Sequence, residues 1–233
     1  MTADGDFYRE HGYVLVRGVF DEREVEEMRR AIDSILEGVA STEHDRSHTW
    51  AGVDQSLQLK GFHDLTYHDG VFTRMVAHPR LVEVLTQLIG PNVQLHHTKM
   101  LVKPPEQGAP FPMHQDYPYF PHERHSVLAA SVHLDDTDEE NGCLHVVPGS
   151  HRLGPLEAQG DSKTLSFGTR SGDVSPDLVP GVACPAAAGD VLFFNYPTIH
   201  RSVAGSNPGF WPWRSRIRVE QRKTAGKVRP ERL

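Results

Sequence analysis

With 233 residues, 38% of them hydrophobic and 24% charged, the chain is long enough for one domain with a sizeable core and too apolar for intrinsic disorder. Its formal charge of −7 argues against a generic nucleic-acid binder, and no run of about 18 apolar residues is present to span a bilayer. Two cysteines, Cys143 and Cys184, provide neither a disulfide framework nor a zinc-ribbon spacing.

The opening segment MTADGDFYREHGYVL is acidic and lacks the basic start and small-residue cleavage site of a secretory signal, so a cytoplasmic protein is expected. YVLVRGVF, from Tyr13 to Phe20, reads as a short buried strand because it is β-branched and aromatic. A helix follows: Asp21 can cap it and Glu24 can complete a capping box, after which Val25, Met28, Ile32, Ile35, Leu36 and Val39 recur at helical spacing. The polar stretch from about 40 to 58, with His44, His48 and Trp50, has no sustained period and is expected to be a loop, either covering a site or idle on the surface. A second helix is predicted over Pro79 to Ile89, with Pro79 in its first turn, an apolar stripe of Leu81, Val84, Leu85 and Leu88, and Gly90-Pro91 as its stop.

Beyond Asn92 the segments VQLHHTKMLVKP, SVLAASVHLDD, CLHVVPGS, DVLFFNYPTIH and SRIRVEQ read as short strands separated by Pro, Gly and acidic turns. Helices followed by a run of short strands indicate an α+β, mainly β fold, with a sandwich or jelly-roll body over about 92–220. A single domain is expected, with 1–91 as a helical amino-terminal part carrying an early strand and 221–233 as a flexible tail. In the basic carboxy-terminal segment, Arg216, Arg218 and Arg222 interleave with Ile217 and Val219, a pattern that suits a solvated edge strand.

Chemistry concentrates in FPMHQDYPYFP. His114 and Asp116 lie two residues apart, so on an extended strand both side chains fall on one face and can grip one ion. His200, after the apolar strand DVLFFNYPTIH, offers a third ligand, and two histidines with one carboxylate make the facial triad of iron(II) oxygenases. In a chain with 15 histidines a chance His-x-Asp pair is expected, and His133-Leu134-Asp135 competes on spacing alone. The arginines downstream of His200, namely Arg214, Arg216 and Arg218, could hold a dicarboxylate through their fixed fork of donors. Other conspicuous residues have structural readings. Pro148-Gly149-Ser150-His151 reads as a turn, His96 and His97 as neighbours on opposite faces of a strand, and Phe210, Trp211 and Trp213 as core or a lid.

Three runs together resemble the phytanoyl-CoA dioxygenase family: HHTKMLVKPPEQGAPFPMHQDYPYFP, NGCLHVVPGSH and GDVLFFNYPTIHRS, within a match from Lys60 to about Val219. The resemblance favours His114 and Asp116 over the competing pair. It implies a double-stranded β-helix, a cupin-like jelly roll with the amino-terminal helices packed on it, and iron(II), 2-oxoglutarate and dioxygen as cofactor and cosubstrates. It further implies that Arg214 binds the distal carboxylate of 2-oxoglutarate, with Arg216 as the runner-up because GSNPGFWPW lengthens the usual spacing, and that Gln115, Ser202 and Lys60 contact the same cosubstrate. Because Asp116 is kept where related halogenases carry a small residue, hydroxylation of a small-molecule substrate is expected over halogenation. The partner expected is that substrate, with no nucleic acid and no membrane, for a monomer or homodimer. A catalytically silent member that binds or senses is the alternative.

Overall fold

The computed structural model describes residues 3–40, 60–103, 111–117, 127–154, 156–159, 166–169, 172–173, 181–202 and 213–223. The expected loop lies outside the described residues over 41–58, as do Phe210 and Trp211; of the tail expected over 221–233, residues 221–223 instead continue the last strand, Trp213–Lys223, and the rest lies outside the described residues.

The chain opens with a helix that periodicity did not announce, α1 (Gly5–His11), where the Asp4 carboxylate accepts from the Phe7 N–H at 2.9 Å and Gly12 follows in the left-handed region at φ 80°. Strand β1 covers Tyr13–Val16 and is shorter than the Tyr13–Phe20 strand expected. Gly18, at φ 59°, turns the chain away, and the turn is fastened by the buried Asp190 carboxylate, which accepts from the Gly18 N–H at 2.8 Å and from Arg17 at 2.6 Å. Helix α2 (Glu22–Ala40) begins with the expected reciprocal capping box: the Glu24 N–H donates to Asp21 at 2.9 Å and the Asp21 N–H donates to Glu24 at 2.8 Å. Asp21→Ala is expected to remove about 1 kcal/mol and lower the thermal midpoint by about 2–4 °C, as followed by circular dichroism.

Strand β2 (Lys60–His63) and the short helix α3 (Gly70–Val76), capped by Asp69, were not foreseen, whereas α4 (Pro79–Ile89) has the predicted bounds. The β-rich body follows: β3 (Val93–Lys103), β4 (Phe111–His114), β5 (Val127–Val132), β6 (Leu144–Val146), β7 (Glu157–Gln159), β8 (Ser166–Thr169), β9 (Gly172–Asp173), β10 (Val182–Cys184), β11 (Val191–Asn195), β12 (His200–Ser202) and β13 (Trp213–Lys223).

These strands form a six-stranded antiparallel sheet in the order β1-β11-β5-β13-β3-β2 and a four-stranded sheet in the order β10-β6-β12-β4, with β7, β8 and β9 making a small third sheet. The amino-terminal part is therefore built into the body, because β1 and β2 supply both edges of the large sheet. Alternation sorts the apolar side chains into two layers. Leu128, Ala130 and Val132 of β5 and Val191 and Phe193 of β11 pack with Met28, Ile32, Phe72, Leu81 and Leu85 of the helices. Val127 and Ala129 of β5 and Leu192 and Phe194 of β11 face the other way, toward Leu144, Val146 and Cys184 of the small sheet. Burial on both faces explains why SVLAASV and DVLFF read as nearly continuous apolar runs. The result is the jelly-roll core expected, with helices on the outer face of its large sheet.

One expectation is corrected by the topology. Strand β13 is no solvated edge but lies between β5 and β3 in the middle of the large sheet. Ile217 stands in register with Met100 and Val132, and Val219 with Thr98 and Ala130. Its arginine positions occupy the alternating rows, Arg218 between Lys99 and Ser131. Among the described residues, no helix is long and apolar enough to cross a membrane.

Candidate metal centre

His114 and His200 meet because their strands pair. In the β4–β12 ladder they stand directly opposite one another, and their ring centroids are 4.1 Å apart. Asp116, two residues beyond His114, returns to the same face, and its Oδ1 lies 3.6 Å from His114 Nε2 and 3.9 Å from His200 Nε2. One ligand atom from each of the three falls within 4.8 Å of the others, and all three residues are buried. This is the only such cluster of histidine, cysteine or acidic ligands among the described residues.

The competing pair is used differently. His133 is fully buried at the end of β5 with its backbone tied to Asp190 and Gly189, and Asp135 accepts from Arg29 of α2 at 3.0 Å.

The donors fit the metal that the residue types suggest. His200 Nδ1 lies 3.0 Å from the Thr198 carbonyl oxygen, which can only accept, so Nδ1 carries the proton and the Nε2 lone pair is left facing Asp116. The ring is held on its other side by Phe194, centroid to centroid 4.5 Å. Two imidazole nitrogens and one carboxylate, with no thiolate in the cluster, match the donor set of non-haem iron(II) and leave positions open for further ligands.

The turn of residues 196–199 that delivers His200 is held from four directions. The Tyr196 carbonyl accepts the Asp116 N–H at 3.1 Å. Thr198 donates its hydroxyl to the Gly12 carbonyl at 2.8 Å, and the Asn195 N–H donates to the same oxygen at 2.9 Å. The Ile199 N–H donates to the Ser150 hydroxyl at 2.8 Å. Pro197 accepts from Gln115 at 2.6 Å. These contacts give Pro148-Gly149-Ser150-His151 the structural role expected of it: Gly149 donates to the His11 carbonyl at 2.8 Å, and His151 lies against Gly12 with Nε2 3.2 Å from the Arg9 carbonyl. Burial pushes the His151 pKa below its ordinary value, which keeps the ring neutral there.

The residues expected to hold 2-oxoglutarate are distributed as follows. Ser202 is buried on β12, two residues from His200 and on its face. Lys60 pairs with Val102 on edge strand β2. Arg214 falls in an irregularity of β13 between the pairs Trp213–Lys103 and Arg216–Leu101. Gln115 points away from the ligands: its amide nitrogen donates to the carbonyls of Gly154 at 3.0 Å and Pro197 at 2.6 Å, and its oxygen accepts from the Leu156 N–H at 3.0 Å. His96 and His97, expected on opposite faces, have their Nδ1 atoms 2.7 Å apart. A register shift opposite Glu220 and Gln221 inserts an extra residue in β3 there, and such a bulge brings neighbouring side chains together. Gly12, Ser150 and Thr198 were not foreseen as parts of the site; the motif segments that contain Ser150 and Thr198 were the available signal.

The family described as phytanoyl-CoA dioxygenase (PhyH) matches residues 8–211. A probable alpha-ketoglutarate-dependent hypophosphite dioxygenase of Stutzerimonas stutzeri is 26% identical over 202 residues, covering 84% of this chain and 70% of that protein. The peroxisomal phytanoyl-CoA dioxygenase of Rattus norvegicus is 26% identical over 224 residues, covering 88% of this chain and 64% of that protein. The crystal structure of the epimerase SnoN in complex with Fe3+, alpha ketoglutarate and nogalamycin RO superposes at a TM-score of 0.77 and 27% identity, over 94% of this chain and 82% of that one. The family match includes the four-stranded sheet, every strand of the large sheet except β13, and all three residues of the His114, Asp116 and His200 cluster. The chain belongs to the phytanoyl-CoA dioxygenase family.

Proposed function

We propose that the chain is an iron(II)- and 2-oxoglutarate-dependent dioxygenase that hydroxylates an unactivated C–H bond of a small-molecule metabolite, with His114, Asp116 and His200 as the metal ligands. The observation that carries the reading is the convergence of those three buried side chains, with the His200 proton fixed on the nitrogen that faces away from the cluster. When bound, iron(II) with 2-oxoglutarate and dioxygen supplies the oxidising chemistry: one oxygen atom enters the substrate, the other enters succinate, and carbon dioxide leaves. The protein's own contribution is to orient and to exclude water. Phe194 and the apolar interior of the sandwich shield one side of the His200 ring, while the turn at 196–199 fixes its position. Retention of Asp116 keeps the third protein ligand and favours hydroxylation over halogenation.

Strand β13 is proposed to hold the far carboxylate of 2-oxoglutarate. Its arginines interleave with apolar positions, and the fixed fork of donors on an arginine can bond a carboxylate bidentately while staying charged. Arg214 is the residue assigned, with Arg216 next. Arg214→Ala is expected to raise the KM for 2-oxoglutarate about 10–100-fold, the loss of one charge-assisted hydrogen-bonded pair, while iron(II) affinity stays within about threefold. Steady-state succinate formation measured against 2-oxoglutarate concentration checks this, and an effect in Arg216→Ala instead would move the role to that residue. Ser202 and Lys60 are proposed as lesser contacts to the same cosubstrate. A monomeric or homodimeric enzyme is proposed, in the cytoplasm, with which two buried cysteines that lack the spacing of a disulfide framework accord.

A further inference from the structure

The ladder that brings His114 to His200 is short and irregular. Among the described residues it pairs only His200 with His114 and Ser202 with Phe111, and the register shifts between them. A ladder of that kind leaves the spacing of the two ligand-bearing segments loosely set, because an irregular pair both bends and twists its strands. Gln115 sits where that looseness would matter most, between His114 and Asp116.

Alternation sends Gln115 to the face opposite the ligands, on which Met113, Leu156 and Ile199 form a small apolar cluster. There it is completely buried. Its carboxamide meets two carbonyl oxygens at one end and one N–H at the other, so the assignment of its oxygen and nitrogen is unambiguous. Both N–H groups are used, toward Gly154 and Pro197, and the oxygen is used by Leu156. Together with the Asp116 N–H on the Tyr196 carbonyl, this continues the pairing of the two segments past the end of the ladder, by two consecutive residues on each side.

We propose that Gln115 is a positioning residue which sets the separation of His114 and Asp116 from His200 by clamping the 115–116 segment to the turn at 196–197 and to the 154–156 segment, and that it makes no side-chain contact with 2-oxoglutarate. The inference rests on the metal-centre reading above, and it replaces the cosubstrate contact that the family resemblance implied for this residue. Through Pro197 and Tyr196 the clamp acts on the same turn that Gly12 and Ser150 hold from the other side.

The test is an anaerobic iron(II) titration of purified apo-protein, followed by 2-oxoglutarate kinetics at saturating iron. Gln115→Met keeps the volume and removes all three bonds. Gln115→Glu keeps the acceptor for Leu156 but turns an acceptor toward two carbonyls, and it serves where the methionine variant does not fold. Met28→Ala, a cavity in the helix layer remote from the ligands, is the control for lost stability alone. The expected result is a 10–100-fold weaker iron(II) Kd in the Gln115 variants, the size of effect seen when groups that orient metal ligands are removed, with the KM for 2-oxoglutarate within about threefold and the Met28→Ala Kd unchanged. An unchanged iron Kd would overturn the proposal. An unchanged Kd joined to a KM raised tenfold or more would restore the cosubstrate contact. A matching loss of iron affinity in Met28→Ala would reduce the effect to general destabilisation and overturn it equally. Failure of the wild-type protein to bind iron would instead overturn the metal-centre reading on which it stands.

Discussion

Replacing His114 by alanine is expected to reduce succinate release by more than about 100-fold, since loss of an orienting group one shell further out already lowers metal affinity or activity 10–100-fold. The geometry makes the effect specific. His114 is directly opposite His200 in the ladder, so its removal takes away one of the three converging donors without touching the turn that holds the others. The fold is expected to survive, because His114 belongs to the four-stranded sheet and not to the apolar clusters that bind that sheet to the large one. Dioxygen-dependent succinate formation, measured beside a thermal melt, checks both halves. Retained turnover would show that the cluster is not the catalytic centre.

The second large effect is expected far away in sequence. Gly12 ends α1 at φ 80°, and a Cβ there would press into the His151 ring, 2.7 Å from its Cγ, and lie 2.8 Å from Thr198 Oγ1. Gly12→Ala therefore combines a left-handed alanine, about 1–2 kcal/mol, with overpacking of about 1–3 kcal/mol. A fall of about 2–5 kcal/mol corresponds to a thermal midpoint lower by about 5–15 °C for a chain of this size. The damage is also expected to reach the metal. The Gly12 carbonyl holds the Thr198 hydroxyl and the Asn195 N–H, and the Thr198 carbonyl in turn orients the His200 ring, so iron affinity should fall with stability. Calorimetric melting and an iron titration test this; an unchanged midpoint would mean that His151 moves aside freely.

Much of this was legible in the amino-acid sequence, for reasons that are local. The capping box at Asp21 and Glu24, the bounds of α4 and the pairing of His114 with Asp116 depend on residues within a few positions of one another. His200 could be named as a third candidate from its place after an apolar strand, but choosing His114 and Asp116 over His133 and Asp135 needed the resemblance, since nothing local states which pair lies beside the strand of His200. What was missed falls into two kinds. Helices α1 and α3 are each seven residues long, too short for a helical period to stand out, although Asp4 and Asp69 mark their starts. The central place of β13 and the hold of Gly12 on Thr198, 186 residues apart, depend on long-range pairing that no window contains. Gln115 is a different case. The alternation that puts His114 and Asp116 on one face also puts the residue between them on the other, so spacing alone directs the Gln115 side chain away from a cosubstrate bound at the metal. The family resemblance pointed the other way, and the three hydrogen bonds of the carboxamide accord with the spacing.

On the proposed assignment, three buried side chains of this jelly roll hold iron(II) in a form that 2-oxoglutarate can chelate. The most direct test is an anaerobic titration of purified apo-protein with iron(II) and then 2-oxoglutarate, followed in the visible spectrum for the weak charge-transfer band of the chelate. The band is expected to develop in wild type, to saturate near one iron per chain and to be lost in His114→Ala. A correctly folded wild-type protein that develops no band would contradict the oxygenase reading and leave a family member that binds or senses without turnover.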